Sequence, residues 1–263
     1  MLACSAKVKK EADKNPTYTE QLAFISPEER ATASRLAEAR IAGADATDAE
    51  KLAEGILVKS DTAADIAMFG RMLADNADFN REAAVSVAHA VTTHRVVVED
   101  DYYTAVDDLK TREEDAGAGF IGEAGFGSGV FYLYVVVDRS LLVKNLGGDA
   151  ALARTALAAL IEAAATVGPR GKSASFASYA RASYALIERG DGAPRTLAAA
   201  FIEPVDWRKP APNDLLAESV RCLRDIRTQF ARAYPNDQPR YAEFSASESG
   251  SLSDIVAFAV DGL

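Results

Sequence analysis

The feature that most constrains the fold is a pair of strand-forming segments separated by a long acidic insert. Residues 130–138 (VFYLYVVVD) carry mostly apolar β-formers on both faces. Residues 84–95 fit either a helix or a strand, and we interpret them as a strand because large β-branched side chains alternate with small ones. The intervening residues 96–128 are far more than a hairpin turn needs. Loops of that length in compact domains are usually functional or disordered.

Two elements downstream extend this pattern. A helix is predicted from an N-cap at Asp149 to Gly168-Pro169, and a strand is predicted over residues 181–188. Strand, long insert, strand, helix and strand make three-quarters of a ferredoxin-like or RRM-like unit. The first strand is missing from that order. We therefore predict that the strands at 130–138 and 181–188 are not hydrogen-bonded to each other, unless residues 18–25 have moved between them.

The N-terminal part predicts a small helical lobe. Ser26-Pro27-Glu28-Glu29 has the pattern of a capping box with proline at the first helical position, and Gly43 marks the end of that helix. Residues 47–50 repeat the capping box for a second, shorter helix. Together with the sheet pattern, this predicts an α+β fold.

Composition limits the classes of function. The 263 residues carry a formal charge of -10, whereas nucleic-acid-binding domains are usually basic. Nine acidic and two basic side chains lie in residues 96–128, so much of the excess acid belongs to the insert. No apolar run is long enough to span a membrane, and neither Cys4 nor Cys222 has metal-ligand spacing. A cytoplasmic protein with free thiols is expected.

No residue pattern predicts catalysis, a metal or a cofactor. His89 and His94 fall on different faces of either a strand or a helix, and the glycine pairs in the insert lack the lysine and helix of a phosphate loop. One alternative stays open, namely an acidic, metal-dependent phosphodiesterase built on the carboxylates of the insert. A solvated acidic loop is the simpler interpretation of those residues, which are Glu99, Asp100, Asp101, Asp107 and Asp108.

Tyr102, Tyr103 and Thr104 are the most informative residues of the insert. Two adjacent aromatic side chains in an acidic, glycine-containing segment can pack the insert against the body of the protein. Alternatively, they offer ring faces to a nucleobase or to another protein, and stacking on a base is worth about 1–3 kcal/mol. The sequence leaves both interpretations open.

Five segments in a fixed order resemble the CasC family, the backbone subunit of the type I-E CRISPR Cascade complex. They are residues 70–72 (GRM), 87–94 (VAHAVTTH), 101–109 (DYYTAVDDL), 128–132 (SGVFY) and 200–205 (AFIEPV). The resemblance implies a non-catalytic protein with an RRM-like palm, helical fingers and a long hairpin thumb. It also implies four kinds of partner: CRISPR guide RNA, the target DNA strand paired with the guide, copies of the chain itself in a filament, and other Cascade subunits. No membrane association is implied.

Carried over residue by residue, the resemblance identifies residues 96–128 as the thumb, with Tyr102, Tyr103 and Thr104 at its wedge. Met72 matches a position that packs against RNA, although a place at the edge of the core is also open for it. Arg71 would offer charge to phosphate, and Lys172 would lie in a palm loop near the RNA. Residues 1–64 would form partial fingers and residues 65–263 the palm, with a helix-rich C-terminal part at 194–263.

The N-terminal region departs from the CasC pattern. Members of that family begin with a strand and a basic loop that clamps the RNA backbone, and nothing before Tyr18 resembles either. An incomplete palm is therefore expected, which weakens the case for RNA binding. A protein-only scaffold that has lost RNA remains a further alternative.

Overall fold

The computed structural model describes residues 22–43, 55–59, 62–74, 76–105, 120–206 and 214–263. Its helices, in chain order, are α1 Pro27–Ile41, α2 Ala64–Phe69, α3 Arg139–Asn145, α4 Ala150–Thr166, α5 Ser173–Phe176, α6 Leu215–Ala233 and α7 Leu252–Val260. Its strands are β1 Val85–Val87, β2 Val91–Thr92, β3 Glu99–Ala105, β4 Phe120–Phe126, β5 Phe131–Tyr132, β6 Val135–Val137, β7 Tyr184–Arg189 and β8 Arg240–Ser245. Short 3₁₀ turns lie at Ala77–Phe79 and Ala198–Phe201. This mixture confirms the predicted α+β class.

The chain divides into two compact units. The first contains the described residues up to 87, together with 135–191 and 239–263. The second contains residues 88–134 and 192–238. These boundaries do not coincide with the predicted one after residue 64, because α1 belongs to the same unit as α4.

The two predicted strands of the sheet pair with each other, but each is interrupted. β1 is antiparallel to β6, with Val85 opposite Val137, and β2 is antiparallel to β5, with Val91 opposite Tyr132. The prediction of one continuous strand over 84–95, and of another over 130–138, is therefore wrong. Both interruptions fall where the chain passes from one unit to the other, so neither strand buries one face along a single core.

The described strands form four separate two-stranded ladders. Within this part of the chain, residues 130–138 pair with β1 and β2, whereas β7 pairs with β8, with Tyr184 opposite Ser245. The predicted absence of a ladder between 130–138 and 181–188 is thus confirmed for these residues. Residues 22–25 show no strand geometry, and the rest of the 18–25 candidate lies outside the described residues. No four-stranded sheet of the RRM type is present among the described strands.

The core of the first unit lies between α2, α3, α4, α7 and β1. Leu142 and Ala153 are fully buried there, and Leu157 packs beside them. The inner stripe of α4 combines small side chains with one leucine, since Ala153, Ala156 and Leu157 are all buried. Asn145 donates Nδ2–H groups to the carbonyl oxygens of Ala67 and Glu82, at 2.9 and 2.8 Å, and so ties α3 to the segment around α2.

Helix boundaries follow the sequence where a cap is present. Ser26 and Glu29 form both hydrogen bonds of the predicted capping box, and α1 ends before Gly43, which has φ of 101°. Asp149 caps α4 as predicted. Helix α3 was not predicted, although Asp138, at the end of the apolar run, caps it by accepting a hydrogen bond from the N–H of Leu141. The second capping box at 47–50 lies outside the described residues, and α6 is capped by Asp214.

The second unit is organised around the ribbon of β2 and β5. The backbone N–H of Val205 donates to the carbonyl oxygen of Thr93 at 2.9 Å, and Ser219 of α6 donates its hydroxyl to Thr93 Oγ1 at 2.9 Å. The rings of Tyr132 and Phe201 pack with centroids 5.7 Å apart. These contacts hold α6 and the 3₁₀ turn against the ribbon, and the hairpin of β3 and β4 extends from it in sequence.

Candidate nucleic-acid interface

Residues 167–182 form an exposed loop, which we call the basic loop, between α4 and β7. The loop carries three basic side chains and no acidic one, in a chain whose formal charge is -10. The basic residues are Arg170, Lys172 and Arg181, and all three are exposed. The exposed rings of Phe176 and Tyr179 lie between them in sequence. Basic and aromatic side chains alternating on a surface are typical of binding to single-stranded nucleic acid.

The ends of the basic loop are held close together. Helix α4 stops at Thr166, before Gly168 and Pro169, because proline cannot continue a helix. The N–H of Ala182 donates to the carbonyl oxygen of Ala165 at 2.8 Å, which returns the chain to the end of α4. A Cβ atom at Gly168 would lie 2.8 Å from the carbonyl oxygen of Ser178, so only glycine permits this close approach. The loop is therefore a shaped segment with fixed ends.

Lys172 occupies an unusual backbone position within the basic loop. Its φ of 51° and that of Ala177, 47°, are left-handed, and these two residues bracket the single turn of α5. Left-handed backbone is uncommon for residues other than glycine and is enriched at functional sites. Lys172 Nζ lies 5.7 Å from the centroid of the Phe176 ring. This pair presents a cation and an aromatic face together, which matches what a phosphate and a base require.

The hairpin of β3 and β4 separates the two tyrosines that the sequence analysis treated as a pair. In the antiparallel register, Tyr102 is opposite Glu123 and Tyr103 is opposite Gly122, so their side chains point to opposite faces. Tyr102 is 70% exposed, and Tyr103 is 47% exposed. Thr104 shares the face of Tyr102 and is exposed. Tyr102 is the side chain of the pair that is available to a partner.

Tyr103 packs within the hairpin instead. Its ring covers Gly122 so closely that a Cβ atom at Gly122 would lie 2.5 Å from the Tyr103 Cζ atom. A ring laid over a cross-strand glycine stabilises a strand pair that has little other side-chain packing. The sequence left two interpretations open, and each applies to one tyrosine. Tyr103 packs within the hairpin, whereas Tyr102 is exposed.

The carboxylates of the hairpin do not converge. Asp100 lies on the face of Tyr102, whereas Glu99 and Asp101 lie on the face of Tyr103. Asp107 and Asp108 lie outside the described residues. In the part of the chain that the structure describes, no group of three His, Cys, Asp or Glu side chains could hold a metal ion. The described acids therefore lack the arrangement that a two-metal phosphodiesterase needs.

Arg71 is buried in an ion pair and does not present its charge to a ligand. The side chains of Arg71 and Glu29 are both 0% exposed, and Arg71 Nη1 donates to Glu29 Oε1 and Oε2 at 2.8 and 2.7 Å. Its remaining donors bind the carbonyl oxygens of Val58 at 3.0 Å and Phe79 at 3.3 Å. The expectation that Arg71 offers charge to phosphate is corrected here, because every part of its guanidinium faces protein.

Met72, the next residue, points outward and is 75% exposed. The side chains of Arg71 and Met72 point in opposite directions because an isolated bridge between Arg71 and Arg81 makes this stretch extended. Met72 lines an open depression of about 430 Å³ whose other exposed apolar side chains are Leu22, Phe24 and Phe69. A place for Met72 at the edge of the core is therefore wrong, whereas contact with RNA stays a prediction.

The candidate residues lie on three separate segments. Arg71 and Met72 are at the depression and Lys172 is in the basic loop, both in the first unit, and the tyrosines are in the second. Sequence reasoning identified Lys172 but missed Arg170, Phe176, Tyr179 and Arg181. The signal was present as a stretch of sixteen residues without one acid, in a chain where acids outnumber bases.

His94 has a structural role. Its Nε2 atom accepts a hydrogen bond from the N–H of Val130 at 3.2 Å, and its Nδ1 atom faces the carbonyl oxygen of Arg95 at 3.0 Å. This network assigns the proton to Nδ1. His94 thus satisfies the backbone N–H of Val130, next to the ribbon.

No helix among the described residues is both long and apolar enough to cross a membrane. This finding concerns α1 to α7 only.

Comparisons with known proteins converge on one group. The profile of the CT1975-like protein family (Cas_CT1975) matches residues 2–258. A chain from a solved "CRISPR RNA-guided surveillance complex, pre-nicking" superposes with a TM-score of 0.74 at 24% identity, covering 98% of this chain and 75% of that one. A chain from a second "CRISPR RNA-guided surveillance complex" gives 0.63 at 25% identity, covering 90% and 85%. A search of curated proteins found no match. These matches do not single out the CasC family of type I-E.

Proposed function

Because the chain belongs to the CT1975-like protein family, we propose that it is a non-catalytic subunit of a CRISPR RNA-guided surveillance complex that binds guide RNA. In this proposal, copies of the chain assemble along the guide as a backbone, beside other subunits, and hold the RNA open for pairing with a target DNA strand. The complex would be of type I-E, and it would act in the cytoplasm. The similarity to chains from two such complexes supports the proposal.

One observation carries the RNA-binding part of the proposal, namely the charge and composition of the basic loop. A strongly acidic chain repels nucleic acid at a distance, so the contact must be made where the local charge is positive. The loop supplies three exposed cations, and two exposed rings lie near them in sequence. The basic loop also has a defined shape, since Gly168 and the hydrogen bond from Ala182 to Ala165 fix its ends.

The hairpin of β3 and β4 has a second role in this proposal. Its described strands carry four carboxylates and no base, which are Glu99, Asp100, Asp101 and Glu123. Such a hairpin does not bind phosphate, but Tyr102 offers an exposed ring that can stack on a base. We infer that the hairpin acts as the thumb and reads the bases, whereas the basic loop contacts the backbone.

Replacing the three cations of the basic loop tests the proposal. The variant Arg170→Gln, Lys172→Gln, Arg181→Gln should bind single-stranded RNA more weakly. Its plot of log affinity against log salt should be shallower by about 2, since each lost phosphate contact removes about 0.7 for a single strand. Fluorescence anisotropy from 50 to 300 mM salt measures both effects.

The matched control places the same three charge losses on α1. Arg30, Arg35 and Arg40 are exposed there, so the variant Arg30→Gln, Arg35→Gln, Arg40→Gln changes the net charge equally. Equal loss of affinity in the two variants would show that net charge alone governs binding and would remove the basic loop from the proposal. A wild-type chain that self-associates and binds no RNA would favour the protein-only scaffold.

A further inference from the structure

Three arginines converge on the C-terminal end of α7. Arg189, the last residue of β7, donates Nη1 to the carbonyl oxygens of Phe258 and Asp261, both at 2.6 Å, and Nη2 to Asp261 Oδ2 at 2.9 Å. Arg139, the first residue of α3, donates Nη2 to the Asp261 carbonyl oxygen at 2.8 Å. Arg240, the first residue of β8, places Nη2 3.8 Å from Asp261 Oδ2. We call these three residues the arginine cluster.

The end of a helix explains two members of the cluster. The last carbonyl groups of a helix lack partners within it and carry partial negative charge, so Arg139 and Arg189 satisfy them. Arg240 is different, because its distance to Asp261 is beyond hydrogen-bond range and its side chain is 68% exposed, against 13% for Arg189. Arg240 is therefore a surplus cation, which the helix end does not require.

The position of Arg240 is electrostatically unfavourable unless an anion lies nearby. Arg189 and Arg240 are directly opposite each other in the β7–β8 ladder, and like charges in that arrangement are destabilising. Both guanidinium groups stand over the Phe258 ring, at 5.0 and 5.9 Å from its centroid. The ring orients the two cations, and both form an ion pair with Asp261.

Arg139 is affected first by burial and then by the neighbouring positive charge. Burial lowers the pKa of its guanidinium, repulsion from Arg189 lowers it further, and Asp261 opposes both. The Nε atom of Arg139 is buried and has no hydrogen-bond partner. A fourth guanidinium, that of Arg154, donates to the carbonyl oxygen of Leu263 close by in sequence. An added anion would meet a positive field there.

We propose that the arginine cluster binds a phosphate group of a nucleic-acid backbone, with Arg240 as the exposed contact. The identity of the ligand rests on the proposed function, and the cluster would be a contact additional to the basic loop. Guanidinium groups bind phosphate oxygens through paired N–H donors. Several guanidiniums gathered around one carboxylate fit a compact anion.

Inorganic pyrophosphate is a direct probe of the cluster. At constant ionic strength, it should raise the melting temperature of the wild-type chain and of Arg35→Gln, an exposed control of equal charge change. It should raise the melting temperature of Arg240→Gln by less than half as much. The loop variant at 170, 172 and 181 should keep the full shift. Equal shifts in Arg240→Gln and Arg35→Gln would overturn the inference.

Asp261→Asn separates an anion site from a helix cap. Removing the carboxylate that competes for Arg240 should increase the pyrophosphate shift, whereas Asp78→Asn, an exposed control of equal charge change, should not. If the arginines only cap the helix, pyrophosphate should shift the melting temperature of Asp261→Asn no more than that of the control. That result would contradict the proposed site even if Arg240→Gln lost the shift.

Two nucleic acids then identify the source of the phosphate. Arg240→Gln should make the log–log salt slope shallower by about 0.7 if the ligand is single-stranded RNA, or by about 0.9 if it is duplex DNA. An unchanged slope for both overturns the nucleic-acid assignment. If the slope is unchanged in Arg240→Gln but RNA binding still depends on the basic loop, only the inference about the arginine cluster fails. Should the Arg240 effect persist while the loop variant binds RNA normally, the loop-based proposal fails and this one stands.

Discussion

Glu29 performs three tasks with one carboxylate. It completes the capping box of α1 by accepting a hydrogen bond from the Ser26 N–H at 2.9 Å, and it neutralises Arg71 in the interior. It also accepts a hydrogen bond from the N–H of Val58 at 2.9 Å. One buried acid therefore joins the start of α1, the segment at 55–59 and the stretch that carries Met72.

Breaking this pair from one side should be strongly destabilising. Arg71→Gln leaves Glu29 buried without its counter-charge, and we expect the free energy of unfolding to fall by about 3–5 kcal/mol in urea titrations. Arg35→Gln, at an exposed position of α1, should change it by less than about 0.5 kcal/mol. If Arg71→Gln lies within the range of that control, the ion pair does not organise the N-terminal segments.

Tyr102 and Tyr103 should respond differently to the same substitution. Tyr102→Ala should weaken binding of RNA-paired target DNA by about 1–3 kcal/mol, with a melting temperature near that of the wild type. Tyr103→Ala uncovers Gly122, so it should speed amide exchange across β3 and β4 and cost about 0.5–1 kcal/mol locally. Equal effects of the two substitutions on target binding and on exchange would show that the faces are not distinct.

At the scale of elements, the basic loop depends on one glycine. In Gly168→Ala the new Cβ atom would meet the Ser178 carbonyl oxygen at 2.8 Å, so the loop has to move. We expect RNA affinity to fall by about tenfold, as positioned contacts are lost, with little change in the melting temperature. Gly171→Ala is the matched control, because nothing lies within 4 Å of its added Cβ. Equal affinities of the two variants would mean that the loop needs no fixed shape to bind RNA.

The elements that the sequence predicted correctly are those with a local signal. Caps at Ser26 and Asp149 fixed the starts of α1 and α4, and β-forming side chains identified the two segments that form the ribbon, although not its register. The interruption of that ribbon carries no local signal, since it depends on where the chain changes unit. Arg71 was misassigned for the same reason: its partner Glu29 is 42 positions away in the chain, and charge alone does not reveal burial.

At the scale of the whole molecule, the acidic hairpin works against capture of RNA. Asp100→Asn with Glu123→Gln removes two negative charges beside Tyr102 and should raise the rate of association with single-stranded RNA by about tenfold at low salt. The gain should shrink at 0.5 M salt, where charges are screened beyond about 4–5 Å. Stopped-flow fluorescence measures this rate. The control Glu38→Gln with Asp78→Asn removes the same charge elsewhere, and an equal gain there would assign the effect to net charge.

The division into units has a consequence for synthesis on the ribosome. The first unit is assembled from three stretches of chain, and the last of them, residues 239–263, supplies β8 and α7. Until those residues emerge, β7 has no partner in its ladder, and the core side of α4 lacks Val260 and Leu263. An unpaired strand edge and an uncovered apolar surface favour association between nascent chains. We therefore expect the growing chain to need a chaperone most between the emergence of residue 189 and that of residue 263.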